Sequence, residues 1–243
     1  QLQHAQRVLK HALRMLFYQR AGQDKTAATA GADWADGPSH LGAGQDTEAT
    51  AWTDKGNTAT AKDLRGGWYD AGDFNKYTAW HSGYLISLLR AYSENPSAFG
   101  DDYAIPESGN GVADILDEIK WGVDWLIRMQ NTDGSVLCVE GLASGSPPSS
   151  ATGPSYYGPA TTNASLRAAA AFAYAATVFE GSGVPTLAAM ASDLTARAES
   201  AWNWALANPA VSYYNNDNAK QAGSSGLAAG QQHPPGQRAG PGL

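Results

Sequence analysis

The stretch RGGWYDAGDFNKY, residues 65–77, sets a glycine pair, two aromatic rings and two carboxylates three positions apart just ahead of a run with helical spacing. That run, Phe74, Tyr77, Tyr84, Leu85, Leu88, Leu89 and Tyr92, stops at Asn95-Pro96, because a residue before proline is pushed out of the α region. The same period recurs on either side. Residues 2–20 carry Leu2, Val8, Leu9, Ala12, Leu13, Leu16 and Phe17 among Arg, Lys and Gln, which predicts an amphipathic helix ending near Gly22. From Val112 to Met129, Ile115, Leu116, Ile119, Val123, Leu126 and Met129 form one stripe. Two more helices are expected, at 161–180, dominated by Ala, and at 186–207, marked by Leu187, Met190, Leu194, Ala198, Trp202 and Leu206. No segment reads as a strand, so the spacing predicts an all-α chain. Two long irregular segments, 22–67 and 135–160, interrupt the helices, and loops of that length in a compact domain tend to build sites. Gly230 to Leu243, almost without apolar residues, is expected to be a disordered tail.

Composition narrows the function. The 243 residues carry a formal net charge of −7, 16% are charged against a usual share of about 25%, and eight Trp and eleven Tyr are present. Without a Lys/Arg cluster there is no electrostatic footprint for a phosphate backbone, which argues against nucleic acid as a partner. No run approaches the roughly 18 apolar residues of a membrane span, which argues against a membrane partner. The N-terminus has no basic-then-apolar signal pattern. Cys138 is the only cysteine, which excludes an intrachain disulfide and a multi-thiolate metal site. Aromatic rings rather than charges are the chain's recognition resource.

Asp70 and Asp73 admit two readings. Either they mark a helix start, with Asp73 as N-cap and Asp70 favoured by the helix dipole, or they form a site at a loop mouth. The flanking Gly66-Gly67 and the flat faces of Trp68 and Tyr69 tilt the reading toward a site. Two acids on one turn cannot easily flank a scissile glycosidic bond, where an inverting pair stands roughly 6.5–9.5 Å apart. They make better sense together on the base side, one taking a proton from water and one orienting it.

RGGWYDAGDFNKY resembles the signature of glycoside hydrolase family 9, the inverting cellulases with an (α/α)6 barrel. The resemblance extends through YAIPESGNGVADILDEIKWGVDWLIRMQNTDGSV at 103–136 and ATGPSYYGPATT at 151–162. It implies that residues 1–229 form part of such a catalytic domain, an incomplete six-hairpin toroid whose long loops form a cleft at one end. It implies Asp73 as catalytic base, Asp70 as its assistant with the water, and Trp68, Tyr69, His40, Tyr156 and Tyr157 as residues of the sugar cleft, with burial under a loop as the other reading for the tyrosine pair. The substrate it implies is a β-1,4-glucan or its oligosaccharides, and the location extracellular.

Some relatives hold zinc with a Cys-His pair in the segment resembling Ser39-His40 and a His at the position of Tyr69. With Ser and Tyr there, no metal and no cofactor is expected. Glu107, with Asp114, Asp117 and Glu118, reads as a loop or helix-surface charge, although the resemblance also allows Glu107 a structural hydrogen-bonding role; Trp121 and Trp125 are expected to lie in the core, and the Asn163-Ala164-Ser165 sequon to be an ordinary helix start. The family delivers its general acid as a Glu near the end of a twelve-helix domain, whereas about five or six helices are counted here. Glu107, Glu140 and Glu180 have no such role in the resemblance. The chain alone is therefore expected to be inactive or to bind oligosaccharide weakly, and to expose apolar faces that favour self-association.

Overall fold

A computed structural model describes residues 2–213, with side chains from Gln6 onward. The expected tail at 230–243, and the end of the family-like segment, lie outside the described residues. The helices are α1 (Leu2–Gln19), a single turn α2 (Ala27–Ala30), α3 (Thr78–Glu94), α4 (Asp114–Met129), α5 (Thr162–Gly181), a second single turn α6 (Pro185–Ala188) and α7 (Ala191–Ala207). Packing neighbours run α1, α4, α3, α5, α7.

The apolar stripe of α4 becomes the centre of the core: Ile115, Leu116, Ile119, Val123, Leu126 and Met129 are all fully buried. Helix α1 lays Leu13 and Phe17 inward, with Leu16 packed beside the core. In α5 the alanines let neighbouring helices approach closely, while Phe172 and Phe179 fill the remaining space. Thr161 caps α5 by accepting the Ala164 N–H at 3.2 Å, so the sequon residues sit in the first turn with Ser165 fully buried.

Three expectations need correction. The helix after the DAGD segment begins at Thr78, not Phe74, because Phe74 has φ +59°, a left-handed conformation that cannot continue a right-handed helix. The segment expected as one helix at 186–207 is split between α6 and α7. The buried stripe of α7 is Leu194, Ala198, Ala201 and Ala205, while Trp202 (51% exposed) and Leu206 (61%) face outward. At 100° per residue, Leu206 lies about a third of a turn from Leu194, so the expected stripe drifted off the core side.

The third correction is the presence of strands. β1 (Thr50–Ala51), β2 (Lys76–Tyr77), β3 (Val139–Gly141) and β4 (Tyr156–Tyr157) form one small sheet in the order β1-β4-β3-β2. β1 runs parallel to β4, and β3 is antiparallel to both β4 and β2, with Lys76 opposite Glu140 and Glu140 opposite Tyr157. Strands of two or three residues are too short to show a period of two in sequence. Their effect is large nonetheless, because they tie the 22–67 segment, the DAGD turn and both halves of the 135–160 loop to one place.

Candidate active site

The DAGD turn is held from both ends. On the incoming side, the Ala21 N–H donates to Gly67 O at 2.9 Å and the Tyr69 N–H donates to Gln19 O at 2.9 Å, which pins residues 67–69 to the end of α1. Gly67 has φ +72°, and a Cβ there would lie 2.7 Å from Trp125 Cγ, so glycine is required on two counts. Trp68 then enters the core across Gly122 of α4. Its ring stacks on His81 with centroids 4.6 Å apart, and its Nε1–H donates to Glu118 Oε1 at 2.6 Å. Glu118 also receives the buried Arg20 guanidinium at 2.9 Å, which reaches Glu107 at 2.9 Å on its other side.

Within the turn, the Asp70 N–H donates to Asn75 O at 3.1 Å and the Phe74 N–H donates to Ala71 O at 3.2 Å. The left-handed Phe74 reverses the chain so that Asn75 faces back toward Asp73. Asn75 is fully buried; its backbone N–H points at Asp73 Oδ1 (3.4 Å) and its side-chain Nδ2 donates to Asp73 Oδ2 at 3.0 Å. Asp73 thus makes a local turn with the residue two ahead rather than capping α3, whose N-cap is Tyr77. Both oxygens of Asp70 are buried, and neither has a hydrogen-bond partner. Burial, with the Asp73 carboxylate adding to it, pushes the Asp70 carboxyl up to about 7.

On the outgoing side, Lys76 is completely buried. Its ammonium donates to Asp46 Oδ2 at 2.8 Å, Glu140 Oε2 at 2.7 Å and Gly66 O at 2.9 Å, with Leu64 O a further acceptor within reach at 3.2 Å. Burial opposes the ammonium charge, yet Asp46 and Glu140 outweigh it and hold Lys76 above its ordinary value. Glu140 is pushed well above the usual carboxylate range, by burial first and by Asp46 second. Ser155 Oγ donates to Asp46 Oδ1 at 2.6 Å, so one ammonium ties β2 to β3 and to the residue before β4.

Asp70 borders a cleft of about 700 Å³ lined also by Met15, Tyr18, Tyr69, Phe74, Tyr84 and the 145–148 turn. It is the one carboxylate among the described lining residues. Tyr84, missed in the sequence because it reads as a helix-stripe residue, stands half-exposed on α3 in the wall of the same cleft, and burial first and the Asp70 carboxylate second push its phenol up.

The expected sugar-binding residues separate. Tyr156 keeps a partly open ring, edge-on to Trp52 at 5.6 Å, with the Lys55 ammonium 3.2 Å above the Trp52 ring. Tyr157 is buried and its hydroxyl donates to Thr60 O at 2.7 Å. Trp68, at the wall of the cleft, is only 2% exposed, with its ring stacked on His81 and its Nε1–H on Glu118, so it offers a sugar no open ring surface.

Tyr69 and His40 are also buried and form one chain of hydrogen bonds. His40 Nε2 lies 2.7 Å from Ala143 O, which can only accept, so Nε2 carries the proton. Burial lowers the His40 pKa, which keeps the ring neutral. Nδ1 must therefore accept from the Tyr69 hydroxyl at 2.6 Å, and Tyr69 in turn accepts from Ser39 Oγ at 2.5 Å. Both imidazole nitrogens are committed and the other two groups are hydroxyls, so this set does not fit a zinc ion. Among the described residues, no three His, Cys, Asp or Glu side chains are grouped to hold a metal, and no helix is long and apolar enough to cross a membrane.

Comparison with known proteins matches this geometry to one family. The chain is 31% identical over 229 residues to a cellulose 1,4-beta-cellobiosidase of Acetivibrio thermocellus, a span covering 82% of this chain and 25% of that protein. A metagenome-derived glycoside hydrolase family 9 endoglucanase superposes with a TM-score of 0.76 at 33% identity, covering 91% of this chain and 39% of the other. A family 9 protein of Bacteroides ovatus superposes with a TM-score of 0.74 at 26% identity, covering 94% and 42%. The chain thus spans about a quarter of that curated relative and about two fifths of the solved ones. The model of glycosyl hydrolase family 9 matches residues 6–229, the region that contains the DAGD turn and the sheet behind it, and the chain belongs to that family.

Proposed function

We propose that this chain carries the water-activating side of an inverting β-1,4-glucan hydrolase site, with Asp73 as the base and Asp70 orienting the water. The observation that supports it is the asymmetry within the pair: Asp73 is gripped through both oxygens, whereas Asp70 stands partnerless at the cleft. In the step, the water oxygen attacks C1 from the face opposite the leaving group and its proton passes to Asp73. The C1–O bond breaks, and its electron pair leaves on the glycosidic oxygen, which needs a proton from a second acid. Asp70, near neutrality at about 7, offers the water either an O–H or an acceptor oxygen.

In this reading the second acid comes from outside the described residues. Glu107 and Glu118 are bound to Arg20, Glu140 is bound to Lys76, and among the described residues no glutamate lines the cleft. On this reading the chain alone is expected to be inactive on glucan and to bind oligosaccharide weakly at most, and the family likeness supports an extracellular location. Tyr156, the partly open ring at the sheet, is the sugar contact of this reading.

A substrate whose leaving group needs no proton isolates the base side. With β-cellobiosyl fluoride, water attacks C1, fluoride departs with the bonding pair, and Asp73 takes the water's proton. Purified chain is expected to release fluoride above background and form the α-anomer, and Asp73→Asn to lose about 10²-fold or more of that rate. A soluble β-1,4-glucan should stay intact with either protein. Equal fluoride rates for the two would remove the base assignment, and glucan turnover abolished by Asp73→Asn would show that an acid lies within the chain.

A further inference from the structure

We infer that Asn75 is a positioning residue for Asp73, a clamp that fixes the carboxylate's rotation in the turn; this rests on the reading of Asp73 as the base. Three observations carry it. Asn75 has no exposed surface, yet it spends both a backbone and a side-chain donor on one carboxylate, one on each oxygen. Its Nδ2 also reaches the Tyr77 hydroxyl oxygen at 3.3 Å. Its Oδ1 is buried without a hydrogen-bond partner.

The last point fixes the direction of the amide. Turning it over would place the carbonyl oxygen against an acceptor carboxylate, so the NH2 group must face Asp73 even though Oδ1 is then left unsatisfied. Burying an acceptor without a partner is costly, and an apolar residue would avoid that cost. What an apolar residue cannot do is hold Asp73 Oδ2. The left-handed Phe74 serves the same geometry, because it turns the chain so that position 75 looks back at position 73. A base held in one rotamer keeps its lone pair on the water through the reaction, and loss of orientation of this kind lowers turnover rather than binding.

The test pairs a spectroscopic readout with a kinetic one. In nitrogen-15 spectra of the chain, the Asn75 side-chain amide signals, assigned by their loss in Asn75→Ala, are expected to move across the acid titration. The movement should persist in Asp70→Asn and vanish in Asp73→Asn. Signals that stay fixed in the unaltered chain, or that respond to Asp70→Asn alone, would overturn the clamp. In fluoride release, Asn75→Ala is expected to lower kcat about tenfold with KM unchanged. A folded Asn75→Ala variant with full kcat would also overturn it. If that variant does not fold, the amide signals decide. Should the unaltered chain show no Asp73-dependent fluoride release while the amide follows Asp73, the hydrolase reading falls and the clamp stands.

Discussion

Asp70 is where the chain gives up stability for a poised group. Its carboxyl, burdened by burial and by Asp73, titrates at about 7 against an ordinary 3.8. A raised folded value means that the native state keeps a proton the unfolded chain has released. The stabilisation is complete below about 3.8 and is lost as pH rises through about 7. Asp70→Asn removes that dependence. We expect its melting temperature to match the unaltered chain near pH 4 and to exceed it above pH 7, by about 2–4 °C. That corresponds to about 1 kcal/mol after allowance for solvent screening of a partly buried group. Thermal scans across the range would check it, and a constant offset at every pH would show that the carboxyl is not titrating as described.

At the scale of elements, the DAGD turn is placed by a buried cation and a helix glycine. Lys76 compensates Asp46 and Glu140, neither of which reaches solvent. Lys76→Met strands both carboxylates and is expected to cost about 3–5 kcal/mol, read as a lowered denaturant midpoint. Adding Glu140→Gln to that variant should recover part of the loss, because one of the two buried acids is then neutral. Gly122 is the corresponding point on α4. A Cβ there would sit 2.3 Å from Trp68 Cη2 and 2.9 Å from Leu85 Cδ2. Gly122→Ala, normally favourable in a helix interior, is therefore expected to destabilise by about 1–3 kcal/mol through forced displacement of Trp68. An unchanged or raised melting temperature would mean that the indole moves aside without cost.

Across the whole molecule, the described surface leaves large apolar side chains open on several helices. Met15 of α1 is 62% exposed, Trp80 and Tyr84 share one side of α3, Leu166 opens α5, and Trp202 and Leu206 face out from α7. Leu166 and Trp202 also line a groove between α5 and α7. Contiguous apolar surface beyond a few hundred Å² marks an interface or an aggregation liability. We propose that these faces drive self-association of the isolated chain. Sedimentation velocity over a concentration series should show mass rising with concentration, and Trp202→Glu with Leu206→Lys should reduce it. A monodisperse monomer with one sharp unfolding transition would count against the proposal.

The sequence by itself carried the helices whose apolar stripes run over several turns, α1 and α4 above all, since a period of 3.6 is legible wherever enough residues repeat it. It also carried the family, through RGGWYDAGDFNKY and the segments after it, because a glycine pair and two acids at fixed spacing are local chemistry. Trp121 in part and Trp125 fully took the core places expected of them, whereas Glu107 and Glu118, which read as loop and surface charges, are tied to the buried Arg20, and Asp114 is buried too. What it could not carry was anything decided between distant segments. The sheet rests on strands too short to show a pattern, and the pairing of Lys76 with Asp46 and Glu140 joins positions 30 and 64 residues apart. The resemblance puts Trp68 and Tyr69 at the cleft, His40 in the cleft or a loop, and leaves Tyr157 between cleft and burial, because aromatic and imidazole rings are equally at home against a sugar and inside a core. Only the packing of α4, the Ser39–Tyr69–His40 chain and the Thr60 carbonyl decided that they are buried, because each of those partners arrives from elsewhere in the chain.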